Sequence, residues 1–261
     1  MSPATALTQL RSTAPLVQCI TNYVAMNVAA NTLLAAGASP AMVHAAEEAG
    51  EFAAIAGALT VNIGTLSPDW VDGMHKAVAG AQGAGRPWVL DPVAHFATPY
   101  RAAIARDLVA LRPTIVRGNA SEILALAGEA SGGRGVDAGD PVAAAEAGAR
   151  SLAQASGAVI AVSGAVDFVT DGTRAVRVTG GSDLMPRVTA LGCSLTCLTG
   201  AFAAVVEDPF DAAIAALAMF AAAGEAAADQ AEGPGSFSWR FLDELAHVEP
   251  DWIGEGRVSA A

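Results

Sequence analysis

Six apolar runs of strand length, most of them without polar alternation, leave this chain few architectures. They are Pro15–Ile20 (PLVQCI), Ser39–Val43 (SPAMV), Ala58–Ile63 (ALTVNI), Pro87–Asp91 (PWVLD), Thr114–Gly118 (TIVRG) and Gly157–Gly164 (GAVIAVSG). A strand with one wet face reads with period two, whereas a near-continuous apolar run needs cover on both faces. That is the condition of a parallel sheet held between helices. The stretches between the runs are longer, alanine-rich and helix-competent. The order β-α-β-α therefore predicts a three-layer α/β/α domain with a mostly parallel central sheet. VDFVTD (from Val166) and TRAVRV (from Thr173) alternate more clearly around Asp171-Gly172, which predicts an antiparallel hairpin toward one edge.

Helix starts are legible as well. Ser67-Pro68, Asp140-Pro141 and Asp208-Pro209 each set a capping side chain before a proline at the first helical position. Ile214, Leu217, Ala218 and Ala221 then have the spacing of one buried helical face. Gly128–Gly139 is glycine-rich but short and reads as a surface loop, and no repeat of 20–50 residues is visible. One domain spanning residues 1–261 is expected.

Composition narrows the functional classes. Hydrophobic residues are 53% and charged residues 15% of the chain, which excludes disorder. A net charge of −12 with a pI near 4.6 works against capture of nucleic-acid phosphates. The mean hydropathy of +0.42 comes largely from alanine. The longest uncharged helical stretch, Ala212–Gly224, is shorter than the ~18–20 apolar residues of a membrane span. MSPATALTQLRST lacks the pattern of a secretory signal. Three cysteines, Cys19, Cys193 and Cys197, without a C-x-x-C motif, suit a reducing compartment, so a cytoplasmic location is expected.

In an open parallel sheet, ligands bind beyond the carboxyl ends of the strands. That rule selects Cys19, Asn22, Met42, His44, Asn62, Gly64, Asp91, Arg117, Asn119 and Ser163. Asp91 is followed by Pro92, which stops the paired ladder. A carboxylate there can hold a metal ion, or meet a phosphate through one; a turn or helix-cap role explains a D-P pair equally well. Asn119-Ala120-Ser121-Glu122 has the form of a capping box. The same stretch sets Glu122 where it can orient a water on Mg²⁺, with Arg117 just upstream facing phosphate. Both roles are compatible, because a helix N-terminus is itself an anion site. Magnesium keeps several waters, so Asp91 and Glu122 are a sufficient protein contribution.

Val188-Thr189-Ala190-Leu191-Gly192-Cys193-Ser194-Leu195 is a turn of mostly small residues running into a helix expected over Thr196–Val206. Backbone N–H groups and the helix dipole at such a turn form an anion hole for a transferring phosphoryl group. Cys193, in the first turn, is expected to have a lowered thiol pKa. Burial as a structural thiol is the plainer role, and it suits Cys197 better. His44 reads as a hydrogen-bonded structural histidine, His75 and His247 as surface positions, and no Cys/His cluster supports zinc. Neither G-x-G-x-x-G after the first strand nor G-x-x-x-x-G-K-[ST] is present.

Taken together these residues resemble the hydroxyethylthiazole kinase family, thiamine-salvage enzymes with the ribokinase-like fold. The resemblance is collinear from Pro15 to about Phe237. Its longest blocks are PLVQCITNYVAMNVAANTLLAAGASPAMVHAAEE, VNIGTLS, VLDPV with ATPYR, IVRGNASEILALAG, AVSGAVDFVTDG, VTALGCSLTCLTGAF and GPGSF. It implies phosphorylation of the primary alcohol of 4-methyl-5-(2-hydroxyethyl)thiazole, with MgATP as donor. It further implies that Asn22, Met42 and Gly64 line the thiazole pocket, with Thr189 and Ala190 beside the reacting alcohol. Arg117, Ser163 and Asn119 would serve ATP, and Asp91 and Glu122 would manage Mg²⁺. Cys193, preceded by Gly192, stands where sugar kinases of this fold carry an aspartate base. A homotrimer with active sites between subunits is implied too.

Two departures from the family pattern stand out. Ala190-Leu191 replaces the glycine-threonine of the usual T-G-T-G-C, and Ala94-His95-Phe96 follows DPV where small, glycine-rich residues are usual. A kinase for a related hydroxymethyl pyrimidine, or a non-catalytic ligand-binding relative, are the alternatives to the thiazole kinase.

Overall fold

A computed structural model describes residues 1–128 and 142–261 of the chain. The six apolar runs are strands: β1 (Leu16–Ile20), β2 (Ser39–Ala41), β3 (Ala58–Asn62), β4 (Trp88–Asp91), β5 (Ile115–Asn119) and β6 (Val159–Ser163). The hairpin is β7 (Val166–Thr170) and β8 (Ala175–Thr179), and an unforeseen β9 (Val258–Ala260) follows near the C-terminus. One sheet runs in the order β2-β1-β3-β4-β5-β6-β7-β8-β9, parallel from β2 to β6 and antiparallel beyond. The edge hairpin is therefore corrected in one respect. It lies toward the edge, but β9 pairs outside it, Val258 opposite Val178. In the hairpin turn, Gly172 has φ +90° and the Asp171 carboxylate accepts the N–H groups of Thr173 and Arg174 at 2.8 and 2.7 Å.

Helices cover both faces. α1 (Pro3–Thr13), α2 (Met26–Ala36), α3 (Ala49–Ile55), α4 (Pro68–Gly83), α5 (Pro99–Ala110), α6 (Ala120–Leu126) and α7 (Val142–Ser156) come before β6. α8 (Leu191–Ala203), α9 (Pro209–Gln230) and α10 (Pro234–His247) follow the hairpin. Side-chain alternation along the strands divides the core in two. Val17, Cys19, Val89, Ile115, Ala161 and Val169 pack with α1, α2, α8, α9 and α10. Val61, Leu90, Val116, Ile160, Val162 and Phe168 pack with α3 to α7. Three layers result, and both faces of the strands are dry, which is why their sequences do not alternate.

Two of the expected helix starts are built as read. Ser67 Oγ accepts the Trp70 N–H at 3.3 Å, and Asp208 Oδ1 accepts that of Phe210 at 3.0 Å. Asp140-Pro141 and nearly all of Gly128–Gly139 lie outside the described residues. In α9 the residues Ile214, Leu217, Ala218 and Ala221 are buried, yet so is almost every neighbour from Phe210 to Gly224. This helix is apolar all round because it is enclosed all round. At 22 residues it is long and apolar enough to cross a membrane, a correction to the shorter stretch expected; most of it is buried within the fold.

α8 also departs from expectation, starting at Leu191 and ending at Ala203 rather than covering Thr196–Val206. Ala190, in a left-handed conformation, already accepts the Ser194 N–H at 2.9 Å, so Gly192 and Cys193 belong to the first turn. This helix crosses the sheet where the strand alternation sends Asn62, Asp91, Arg117 and Ser163, each two residues beyond a side chain on the α8 side.

Candidate active site

The carboxyl ends of β3 to β6 carry a connected polar row on an otherwise apolar sheet. At its centre is Asp91, only 1% exposed. Its Oδ2 accepts Asn62 Nδ2 at 2.8 Å and Thr196 Oγ1 at 2.7 Å, and stands 3.9 Å from Arg117 Nη1. Burial is the main reason its carboxyl is pushed up to about 7; the Arg117 charge opposes the shift and the Glu122 charge adds to it.

From Asp91 the network passes through Asn62 to Asn22 and the helix. Asn62 Oδ1 accepts Asn22 Nδ2 at 3.0 Å and the Gly64 N–H at 2.8 Å. Asn22 Nδ2 also reaches Cys193 Sγ at 3.3 Å, while its Oδ1 accepts the Ala25 N–H at the entry to α2. Gly64 is glycine because a Cβ there would lie 2.6 Å from the Asn22 amide nitrogen. Arg101, from α5, donates to the carbonyls of Ile63 and Gly64 at 2.6 and 2.9 Å and fixes the same turn.

Arg117 occupies the other side. Its Nη2 donates to Ser163 Oγ, and a Cβ on Gly192 would sit 3.0 Å from Nη1, so glycine there lets the guanidinium lie against the start of α8 without having to shift. Its Nε is buried and has no acceptor among the described residues. The first N–H groups of α8 have no intrahelical partner, and they carry the positive end of the helix dipole. A guanidinium with spare donors beside such a terminus suits an anionic, multiply charged ligand.

The capping box is present: Asn119 Oδ1 accepts the Glu122 N–H at 3.0 Å and Glu122 Oε2 accepts that of Asn119 at 2.8 Å. Glu122, 3% exposed, uses Oε1 to accept the Ala94 N–H at 2.9 Å, which ties the loop after Asp91 to α6. Met42 lies just past β2 and packs against the α8-side core, and Thr189 is exposed on the approach to α8. Both stand outside the hydrogen-bonded set.

Two expectations change here, and a third residue finds its place. The Cys193 thiol is pushed up to about 11, not lowered. Burial and the nearby Asp91 charge outweigh the Asn22 hydrogen bond and Arg117. His44 is held by packing on Trp70, ring centres 4.4 Å apart, and its Nδ1 has no hydrogen bond among the described residues. His95 is buried in the Asp91 loop, with its pKa lowered to about 4 by burial and by the charges of Arg106 and Arg101, so it is neutral at pH 7.

Arg101, Thr196 and Asp167 belong to this neighbourhood although the strand-end rule does not select them. Arg101 lies within the ATPYR block, Thr196 one helical turn past Gly192, and Asp167 in β7.

Ala190 has φ +67°, a region that costs an L-residue about 1 kcal/mol or more. Part of that gain is lost to the greater freedom of glycine in the unfolded chain. Ala190→Gly is expected to raise Tm by about 2 °C, measured by calorimetry. A fall in Tm would mean that the alanine methyl makes a packing contact worth more than the strain.

Comparison with known proteins identifies the family. The model of the Hydroxyethylthiazole kinase family matches residues 7–251. The hydroxyethylthiazole kinase of Rhizobium johnstonii is 66% identical over 262 residues, covering 100% of this chain and 98% of the relative. That of Gemmatimonas aurantiaca is 66% identical over 260 residues, covering 99% and 94%. The solved hydroxyethylthiazole kinase protein of Pyrococcus horikoshii OT3 superposes with a TM-score of 0.91 at 39% identity, covering 99% of this chain and 98% of its own. A pyridoxal kinase from Staphylococcus aureus, solved with AMP-PCP and pyridoxal, has a TM-score of 0.61 at 16% identity over 80% of this chain and 87% of its own, a likeness of fold. With the ribokinase-like architecture and the full-length match in agreement, this chain belongs to the hydroxyethylthiazole kinase family.

Proposed function

We propose that this chain transfers the terminal phosphoryl group of ATP to the primary alcohol of 4-methyl-5-(2-hydroxyethyl)thiazole, supplying thiazole phosphate for thiamine salvage. It acts as one catalytic domain over residues 1–261, in the cytoplasm, as a homotrimer. The observation that carries the reading is Arg117 lying between Asp91 and Ser163 and against the Gly192 turn of α8. Its positive charge and the helix terminus would meet the triphosphate there, with Asn119 beside them. Asn22, Gly64 and Met42 would line the thiazole side, with Thr189 and Ala190 next to the hydroxyl. Tyr23 and Val24, 67% and 62% exposed, directly follow Asn22. A second subunit covering them would complete the pocket.

Asp91 and Glu122 fit a magnesium ion. They are hard oxygen donors, and the Glu122 charge adds to the rise in the Asp91 pKa, a repulsion that a cation between them would relieve. No group of three or more His, Cys, Asp or Glu is found among the described residues, and magnesium does not require one. Asp91 would hold the ion directly. Glu122, whose two oxygens already accept backbone N–H groups, would act through water. When bound, the ion supplies charge neutralisation on the phosphate oxygens.

Transfer forms a bond from the alcohol oxygen to the terminal phosphorus and breaks the bond to the ADP oxygen. The transition state is loose in most analyses, so the hydroxyl gives up its proton late, to an oxygen of the transferred phosphoryl group. A neutral thiol is adequate beside it. Cys193, steered by Asn22, orients the alcohol rather than deprotonating it, and catalysis rests on positioning and on charge stabilisation by Arg117 and the α8 terminus. Cys193→Ala is accordingly expected to lower kcat by no more than about tenfold. A loss larger than that of Glu122→Ala at saturating substrates would return the cysteine to the role of base.

The decisive assay incubates the protein with MgATP and either the thiazole alcohol or hydroxymethylpyrimidine, and measures ADP. Release with the thiazole alcohol is expected. Release only with the pyrimidine, or calorimetric binding without ADP, would overturn the assignment.

A further inference from the structure

β6 and β7 are joined by only Gly164 and Ala165, so what holds this corner also sets where Ser163 stands. Asp167 holds it: its Oδ1 accepts the Gly164 N–H at 2.8 Å. Two residues along β7, Val169 packs in the α8-side core, as does Val178, opposite Asp167 on β8. Alternation therefore sends the Asp167 side chain to the same face as Arg117 and Ser163.

We infer that Asp167 is a positioning residue of the nucleotide site, an inference that rests on the ATP role proposed above for Arg117 and Ser163. By fixing the Ser163–Gly164 corner it presents Ser163 Oγ to Arg117 Nη2, and the guanidinium is thereby held on the β6 side, with Nη1 left 3.9 Å from Asp91. Arg117 thus keeps spare donors for phosphate instead of closing on Asp91. The environment agrees: burial pushes the Asp167 carboxyl up to about 7, with the Gly164 N–H and the Arg117 charge opposing that shift.

The test compares Asp167→Ala and Asp167→Asn with the wild type by calorimetric titration with MgATP, by KM for each substrate, and by kcat. Loss of the hydrogen bond in Asp167→Ala is expected to weaken MgATP binding and raise its KM about tenfold. The alcohol KM should stay within about twofold and kcat within about threefold. Asparagine keeps the acceptor oxygen and should restore ATP affinity to within about threefold of wild type. Asp167→Ser, too short to reach Gly164, serves where the alanine variant does not fold and should show the same ATP-selective loss. Unchanged ATP affinity, or an equal loss for both substrates, would overturn the inference. Wild-type protein that binds MgATP without releasing ADP would sink the assigned activity alone; wild-type protein that binds no MgATP would sink both.

Discussion

Asp91→Asn is expected to lower kcat by about 10²–10³-fold and, in the same protein without ligands, to raise thermal stability at pH 8. The two effects share a cause. Asn keeps an oxygen for Asn62 and Thr196, so the polar row survives, but the charge that faces Arg117 and would hold magnesium is gone. In the wild type that charge is buried, and the folded-state pKa rises from 3.8 to about 7. A folded pKa above the unfolded value means that the acid's contribution to stability is whole below about pH 4 and is lost as pH climbs toward 7. Above that range the ionised carboxylate is a net cost of at most about 4 kcal/mol. Variant and wild type should therefore melt together near pH 4 and separate by roughly 5 °C at pH 8. Calorimetric Tm values across that range, with kcat at saturating substrates, test both halves. An Asp91→Asn protein less stable than wild type at pH 8 would mean that the ion pair with Arg117 outweighs desolvation.

The parts of the fold written in the sequence are those enforced by burial on both faces. β1, β3, β4, β5 and β6 are read from near-continuous apolar runs, because a strand covered on both faces admits few polar residues; the exceptions inside them, Gln18 and Thr60, are buried and hydrogen-bonded. β9 has no such signature: Ser259 and Ala260 are exposed at the edge of the sheet, where three residues pair with β8. The start of α8 was hidden for a different reason. It is set by the left-handed Ala190 and not by a capping side chain, so the small residues ahead of Thr196 read as a turn.

The candidate site divides along the same line. Asp91, Arg117, Asn119 and Ser163 are legible because strand ends of a parallel sheet are where polar residues must be explained by ligands. Arg101 and Thr196 come from α5 and α8 and join the site only through tertiary contacts with Gly64 and Asp91. The Cys193 thiol illustrates the limit of local reasoning most clearly. Its own helix terminus argues for a lowered pKa, but the enclosure and the Asp91 charge from β4 are larger and lie more than a hundred residues away in sequence.

Glu122→Gln is expected to destabilise the protein by about 2 kcal/mol, and Glu122→Ala by about 4 kcal/mol, as two hydrogen bonds to a buried charge fail in turn. The requirement for a carboxylate is geometric. Oε1 accepts the Ala94 N–H and Oε2 the Asn119 N–H, so both ends of the group face donors. Glutamine offers one oxygen, and its amide nitrogen must then meet a second N–H with no acceptor between them. Alanine leaves both N–H groups unsatisfied in a site that is 3% exposed. The consequence reaches the chemistry because Ala94, at φ +46°, is held in a left-handed conformation in the loop that begins directly after Asp91. Releasing its N–H lets that loop relax, and kcat should fall by more than about tenfold even where the variant remains folded at the assay temperature. Urea melts and turnover separate the contributions. A glutamine variant as stable as wild type but inactive would leave Glu122 only its role toward magnesium, whereas a loss of stability in the order alanine more than glutamine makes it the fastener between α6 and the Asp91 loop, on which the position of Asp91 itself depends.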